Sequence, residues 1–364
     1  MDTKELFFKL LKFKSITPDD DGALDFIQEY MREFEAVRVD VNSTKNLLLF
    51  KKFGDGEHLC FSGHVDVVPP GDGWDSDPFV PTLRDGFVYA RGTQDMKSGV
   101  CAFLQAVKRT KEFKGTLSIV LTSDEEGDGL DGTIKVLEYM EKNNFLPDFA
   151  LIAEPTCEKV MGDAIKVGRR GSINGILEIF GVQGHAAYPE KSKNPIDLIA
   201  PLLDRLAGYH FDNGDENFAP SRLTVTDIRS GMEVTNVTPG YLKMMFNVRN
   251  STNTTKEDIE SYIDSVLKGL DYKLQLFQGA KPFVTRRDSK VVRLTSEAIK
   301  NVIKVEPKLS TAGGTSDARL FAQFGVDTIE FGVINDTIHA LNERTTLKEV
   351  ELLEEVFSKI IEKF

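Results

Sequence analysis

Five short apolar runs in this chain each lead into residues able to bind a metal, and that pattern constrains the fold more than any other feature. His58-Leu59-Cys60-Phe61-Ser62 leads to Gly63-His64-Val65-Asp66, Phe87-Val88-Tyr89-Ala90 to Arg91-Gly92-Thr93-Gln94-Asp95, and Leu117 to Leu121 to Asp124-Glu125-Glu126. Phe149 to Ala153 leads to Glu154, and Thr328 to Phe331 runs on through Gly332 and Ile338 to His339. Runs of this length bounded by turn residues read as buried strands. In an open α/β sheet the loops leaving the carboxyl ends of the strands converge on one edge. The expectation is a sheet flanked by helices, with a two-metal hydrolytic site at that edge.

The rest of the chain supplies the rhythm that such a sheet needs. Up to about residue 170, helical patterns (Ala23 to Phe34, Met96 to Lys111) alternate with buried strands (Thr116 to Leu121, Phe149 to Ala153), the signature of α/β layering. From 171 to 282 the order becomes strand (Ile173 to Phe180), helix (Pro195 to Tyr209), two strands (Arg222 to Ile228, Tyr241 to Arg249), helix (Thr255 to Leu270) and strand (Tyr272 to Phe277). That is the split βαβ order of a ferredoxin-like α+β unit. Residues 283–364 return to helix, strand and helix. The expected domains are therefore a catalytic domain in two segments, 1–170 and 283–364, interrupted by an inserted domain at 171–282; 364 residues suit about two domains.

Composition narrows the function classes. With 45 Lys plus Arg against 57 Asp plus Glu, the net charge of −12 disfavours a nucleic acid or an anionic membrane as partner. No segment approaches the roughly 18 apolar residues of a membrane span. Leu6, Leu10 and Phe13 place an ordinary amphipathic helix at the amino terminus, so a soluble protein is expected. Cys60, Cys101 and Cys157 are odd in number and scattered, which argues for a reducing cytoplasm over a disulfide framework.

His64, His339 and the carboxylates of Asp95, Glu126 and Glu154 offer the nitrogen and oxygen donors that zinc accepts, and a metal pair about 3.5–4 Å apart normally shares one carboxylate. Asp66, two residues past His64, is placed for its carboxylate to take the second imidazole N–H. Glu125 and Glu126 are adjacent in an irregular turn and point different ways, so one can bind metal while the other faces water as a general base. Asp124, Glu126, Asp128 and Gly129 mimic half of a calcium loop, but its twelfth position is Lys135, which removes the bidentate acid. Neither a phosphate-binding glycine loop nor a Gly-x-Ser-x-Gly elbow is present.

Ser62 to Asp72, Ala90-Arg91-Gly92 through Asp95-Met96-Lys97, Thr122 to Gly127, Gly168 to Ser172, Gly181 to Pro189, Gly313 to Arg319 and Thr337 to His339 with Asn342-Glu343 carry a resemblance over almost the whole length. The chain resembles the succinyl-diaminopimelate desuccinylases of the co-catalytic zinc amidohydrolase and exopeptidase superfamily. The zinc motifs specify the superfamily; Arg169-Arg170-Gly171-Ser172 and Gly313 to Arg319 narrow it to desuccinylases.

The resemblance implies a zinc-peptidase-like catalytic domain, a mixed sheet flanked by helices, and an inserted ferredoxin-like dimerisation domain. It implies two zinc ions per subunit, with cobalt as a substitute: His64 and Glu154 on one, Glu126 and His339 on the other, Asp95 bridging, with a cis peptide after Asp95. Glu125 is then the general base, Asp66 supports His64, and His185 reaches the active site of the partner in a homodimer. Arg169, Ser172, Tyr188, Asn236, Arg249, Gly314 and Thr315 would hold a small dicarboxylate amide. The 229–239 loop keeps only Asn236 and Pro239 of the family pattern. The implied reaction is cytoplasmic release of succinate from N-succinyl-LL-2,6-diaminopimelate for lysine and cell-wall synthesis. Acetylornithine deacetylases, aminoacylases and dipeptidases share the metal ligands and are the alternatives, with a non-catalytic zinc-binding relative as the alternative of another class.

Overall fold

The computed structural model describes residues 1–364 and falls into two compact units. The first comprises Met1–Gly168, Thr285–Ser310 and Ser316–Phe364; the second comprises Arg169–Val284 with Thr311–Thr315. The unit boundaries lie within two residues of positions 170 and 282, but the short Thr311–Thr315 segment groups with the second unit.

The first unit is built on an eight-stranded sheet in the order Glu35–Arg38, Asn46–Lys52, Thr116–Thr122, His58–His64, Phe149–Ile152, Asp327–Glu330, Ala164–Lys166, Lys308–Ser310. The four middle strands run parallel, with His64 opposite Thr122, Ser62 opposite Ile152, and Ile152 opposite Glu330. Parallel sense puts their carboxyl ends on one edge, which is why residues far apart in sequence can meet there. These strands are apolar without alternation because both faces are covered. On one face Phe61 meets Phe103 of the helix Lys97–Arg109 and Phe357 of the helix Leu347–Lys363. The intervening residues Cys60, Val120, Ala150 and Ile152 are buried as well, and the helices Thr133–Lys142 and Ala318–Gln323 pack on these strands.

One strand assignment needs correction. The Phe87 run does not join the main sheet: Phe87–Tyr89 pairs antiparallel with Thr82–Arg84 and Arg344–Thr346 in a separate three-stranded sheet. Its three residues are too short to span the core, and Asp95 is reached through the turn that follows.

The second unit carries a four-stranded antiparallel sheet in the order Arg222–Ser230, Tyr241–Arg249, Ser172–Phe180, Tyr272–Ala280, with one helical segment after the first strand in sequence and one after the third. This is the ferredoxin-like arrangement. Leu242, Met244, Phe246 and Val248 alternate inward onto Ile259 and Ile263 of the helix Lys256–Val266. The first helical segment is not the single helix expected from Pro195 to Tyr209. It breaks into Pro195–Ile199, a 3-10 turn at Ala200–Leu202, and Leu203–Leu206. Pro201 is the physical reason, since it offers no N–H and crowds the preceding turn.

Candidate active site at the carboxyl edge of the sheet

Four elements of the first unit deliver the candidate ligands. His64 is the last residue of its strand, Glu125 and Glu126 follow Thr122, Glu154 follows Ile152, and His339 sits in the loop after Glu330. Asp95 lies between the two imidazoles, with Oδ1 3.1 Å from His64 Nε2 and Oδ2 3.1 Å from His339 Nε2. Glu126 Oε1 is 2.9 Å from His339 Nε2, and Glu154 Oε1 is 3.8 Å from His64 Nε2. Ligand atoms of His64, Glu125 and Glu154, and of His64, Asp95 and Glu126, each gather within 4.8 Å. The adjacent acids thus diverge, Glu125 toward the Glu154 side and Glu126 toward His339.

The surroundings of His64 test whether a metal suits this cluster. Its Nδ1 donates to the main-chain carbonyl of Asp66 at 2.9 Å, which fixes the proton there and leaves Nε2 an acceptor in the neutral ring. That acceptor faces carboxylate oxygens of Asp95 and Glu154, also acceptors. Such an arrangement is repulsive unless a cation or a shared proton lies between, and a divalent ion suits it. Without one the cluster must hold protons instead. Burial opposes charge on His64, but Asp95, Asp66 and Glu154 outweigh it and hold the ring well above its ordinary value. Hydrogen bonds to Asp95 and Glu126 raise His339 to about 10. Burial, together with neighbouring acids, pushes Glu125 and Glu154 well above the usual carboxylate range.

The role expected of Asp66 changes in detail. Its carboxylate stands 3.6 Å from His64 Nδ1, beyond a hydrogen bond, because the ring is satisfied by Asp66's own carbonyl. The carboxylate instead accepts the Glu126 N–H at 3.1 Å, so Asp66 orients the turn that carries Glu125 and Glu126. The Asp95–Met96 peptide is cis.

His185 and the substrate-binding candidates belong to the second unit. His185 is exposed in a two-residue strand paired with Val237–Thr238, its Nδ1 accepting the Ala187 N–H at 3.1 Å. Arg169 is buried and donates from Nη1 to the Ala312 carbonyl at 3.1 Å, which brings it to the segment carrying Gly314 and Thr315. Ser172 Oγ accepts from Asn247 at 2.9 Å. Tyr188, Asn236 and Arg249 are exposed, and Arg249 pairs across the sheet with Arg222.

Lys97, Glu343 and Asp317 had no role in the sequence reading and are nevertheless buried in the first unit. Lys97 donates from Nζ to the Phe13 carbonyl at 2.9 Å, and burial pushes it down to about 7. Asp317 is one of the acids whose charge raises Glu125. The available signal for Lys97 was a cation opening a helix of otherwise small or apolar residues, Ser98 to Leu104.

The profile of peptidase family M20/M25/M40 matches residues 60–363, and this defines the class of the fold and site. Over 364 residues, all of both chains, the sequence is 60% identical to succinyl-diaminopimelate desuccinylase of Nautilia profundicola. It is 62% identical over 362 residues to succinyl-diaminopimelate desuccinylase of Sulfurimonas denitrificans, covering 100% of this chain and 99% of the other. The chain belongs to peptidase family M20/M25/M40, in the desuccinylase branch that these relatives define. In fold it is similar to the crystal structure of aminopeptidase PepT from Bacillus cereus, with a TM-score of 0.83 at 19% identity, covering 100% of this chain and 99% of that one.

Proposed function

We propose that this protein is a dizinc amidohydrolase that cleaves N-succinyl-LL-2,6-diaminopimelate to succinate and LL-2,6-diaminopimelate, a step toward lysine and cell-wall precursors. The observation that carries the chemistry is Asp95 standing 3.1 Å from an imidazole on each side, with Glu125 beside the pair. The substrate is carried by the desuccinylase relatives at 60–62% identity. His64 and Glu154 would hold one ion, Glu126 and His339 the other, and Asp95 both. When bound, the ions polarise the amide carbonyl and acidify the attacking water.

Glu125 takes the proton from that water and delivers it to the nitrogen as the C–N bond breaks. Asp66 holds Glu125 in place through the Glu126 N–H. Arg169 and Arg249 present guanidinium forks suited to carboxylates, with Ser172, Tyr188, Asn236, Gly314 and Thr315 as further contacts. His185 would stabilise the oxyanion in the active site of a second subunit. One face of the second unit's sheet supports a homodimer, since Met245, Tyr241, Phe180 and Phe277 share it and are exposed. Cobalt shares the donor preferences of zinc and is a permitted substitute. A cytoplasmic location is supported by three cysteines that are free and buried; no helix is long and apolar enough to cross a membrane.

Turnover of succinyl-diaminopimelate, acetylornithine and a dipeptide by the zinc-loaded protein tests the substrate. Preference for either of the latter two overturns the assignment. Glu125→Ala should keep its zinc and lose about 10²–10⁴ in kcat. Undiminished turnover in that variant refutes the role of Glu125.

A further inference from the structure

The two halves of the metal cluster are held by different means. His64 and Glu154 stand at or next to the ends of central strands, where the sheet itself fixes them. His339 is half-exposed in a long loop, with its backbone at φ +58, a conformation that L-residues avoid. Asp95 follows a short strand of the side sheet. Something other than the main sheet must hold these two together.

Glu343, fully buried, meets that need. Its Oε1 accepts the N–H groups of Gln94 at 2.7 Å and Asp95 at 3.2 Å, and its Oε2 accepts the Gly92 N–H at 2.9 Å and Arg91 Nη1 at 2.8 Å. Arg91, also buried, donates from Nη1 to the Ala340 carbonyl at 3.2 Å and from Nη2 to the carbonyls of His339 at 3.4 Å and Pro70 at 3.3 Å. Gln94 ties the same two segments again, donating to Asp336 Oδ1 at 2.6 Å and accepting the Thr337 N–H at 2.9 Å. The guanidinium lies 5.2 Å from the ring of Trp74, the chain's one tryptophan.

We propose that Arg91, Gln94 and Glu343 are positioning residues that set the separation of Asp95 and His339, and through it the affinity of the metal position formed by Asp95, Glu126 and His339. None of the three is a ligand in this assignment. The inference rests on the dimetal reading above and adds an asymmetry to it. The position held by His64 and Glu154 depends on the sheet and shares only Asp95 with the network, so loss of the network weakens it far less than the position of Asp95, Glu126 and His339.

The test titrates metal-free wild type, Gln94→Ala, Arg91→Met and Arg91→Lys with Zn²⁺ by calorimetry and with Co²⁺ by absorption, and follows Trp74 emission. Wild type is expected to take two ions. In Gln94→Ala and Arg91→Met one ion should bind about 10–100-fold more weakly, the range for lost outer-sphere partners, while the other, which shares only Asp95 with the network, weakens far less. Their kcat should fall at fixed zinc, recover with excess zinc, and leave KM little changed; Arg91→Lys should fall between. Trp74 emission should shift as the weaker position fills in wild type and need more metal to do so in Gln94→Ala. Val356→Ala, a core truncation remote from the network, should lower Tm yet bind both ions as wild type does. If Arg91→Met does not fold, Gln94→Ala decides. Two ions bound equally well in Gln94→Ala and wild type, or both weakened alike, would overturn the inference alone. A wild type that takes up fewer than two ions sinks the dimetal reading and the inference with it.

Discussion

A single methyl group on Gly99 should disturb both the core and the metal site. Gly99 lies in the first turn of the helix Lys97–Arg109, where a Cβ would sit 2.2 Å from the Ala153 carbonyl oxygen and 2.6 Å from the Ala153 Cβ. Carbon atoms pack at about 3.5–4.0 Å, so helix or strand end must move by roughly 1 Å. Neither has slack: Val100, Cys101 and Ala153 are buried, and on the far side a Cβ at Gly332 would be 2.3 Å from the Glu154 carbonyl oxygen.

Alanine gains about 1 kcal/mol over glycine in a helix interior, while forced overpacking costs about 1–3 kcal/mol. The obstacle here includes backbone, which cannot swing away, so the upper figure applies and Gly99→Ala should lose about 2 kcal/mol net. For a unit of this size that is a fall of about 4–8 °C in Tm. Ala153 precedes Glu154, so zinc affinity at the position shared with His64 should drop too. Urea unfolding of the metal-free protein and zinc titration measure the two effects. A variant as stable as wild type, or more so, would refute the claim that this glycine is required for close approach.

Other outcomes follow from the same contacts. Burial pushes His58 down to about 4 from an ordinary 6.5, so above pH 6.5 its site is fully stable. As pH falls toward 4 the unfolded chain takes the proton first, and about 3 kcal/mol should be lost; urea midpoints of wild type and His58→Gln should converge across that window. Chelation should abolish turnover and lower Tm, with both restored by zinc or cobalt, because an ion at about 100 times its Kd adds about 2.7 kcal/mol. Asp212 accepts from Gly214 N at 2.7 Å, Ser221 N at 3.1 Å, Ser251 Oγ at 2.8 Å and Thr254 Oγ1 at 2.6 Å. Asp212→Ala should therefore cost at least about 2 kcal/mol in the second unit, measured by limited proteolysis.

The amino-acid order by itself determined that buried strands end near His64, Glu125, Glu126 and Glu154, and that a βαββαβ stretch lies between segments of the first unit. Both are matters of periodicity, and hydrophobic burial enforces periodicity locally whatever the rest of the chain does. The break at Pro201 was equally present in the order of residues, as a proline in the middle of a helical pattern, and local stereochemistry explains it.

Only the tertiary structure decided that Asp95 arrives from a side sheet, that the ring of His64 is satisfied by a carbonyl and not by the Asp66 carboxylate, and that Glu343 gathers the turn before Asp95. Each depends on where a loop is held by groups distant along the chain, Glu343 acting on residues some 250 positions earlier. Side-chain hydrogen bonds of that kind have no period. They are fixed only when the sheet brings its ends together and buried donors must find acceptors.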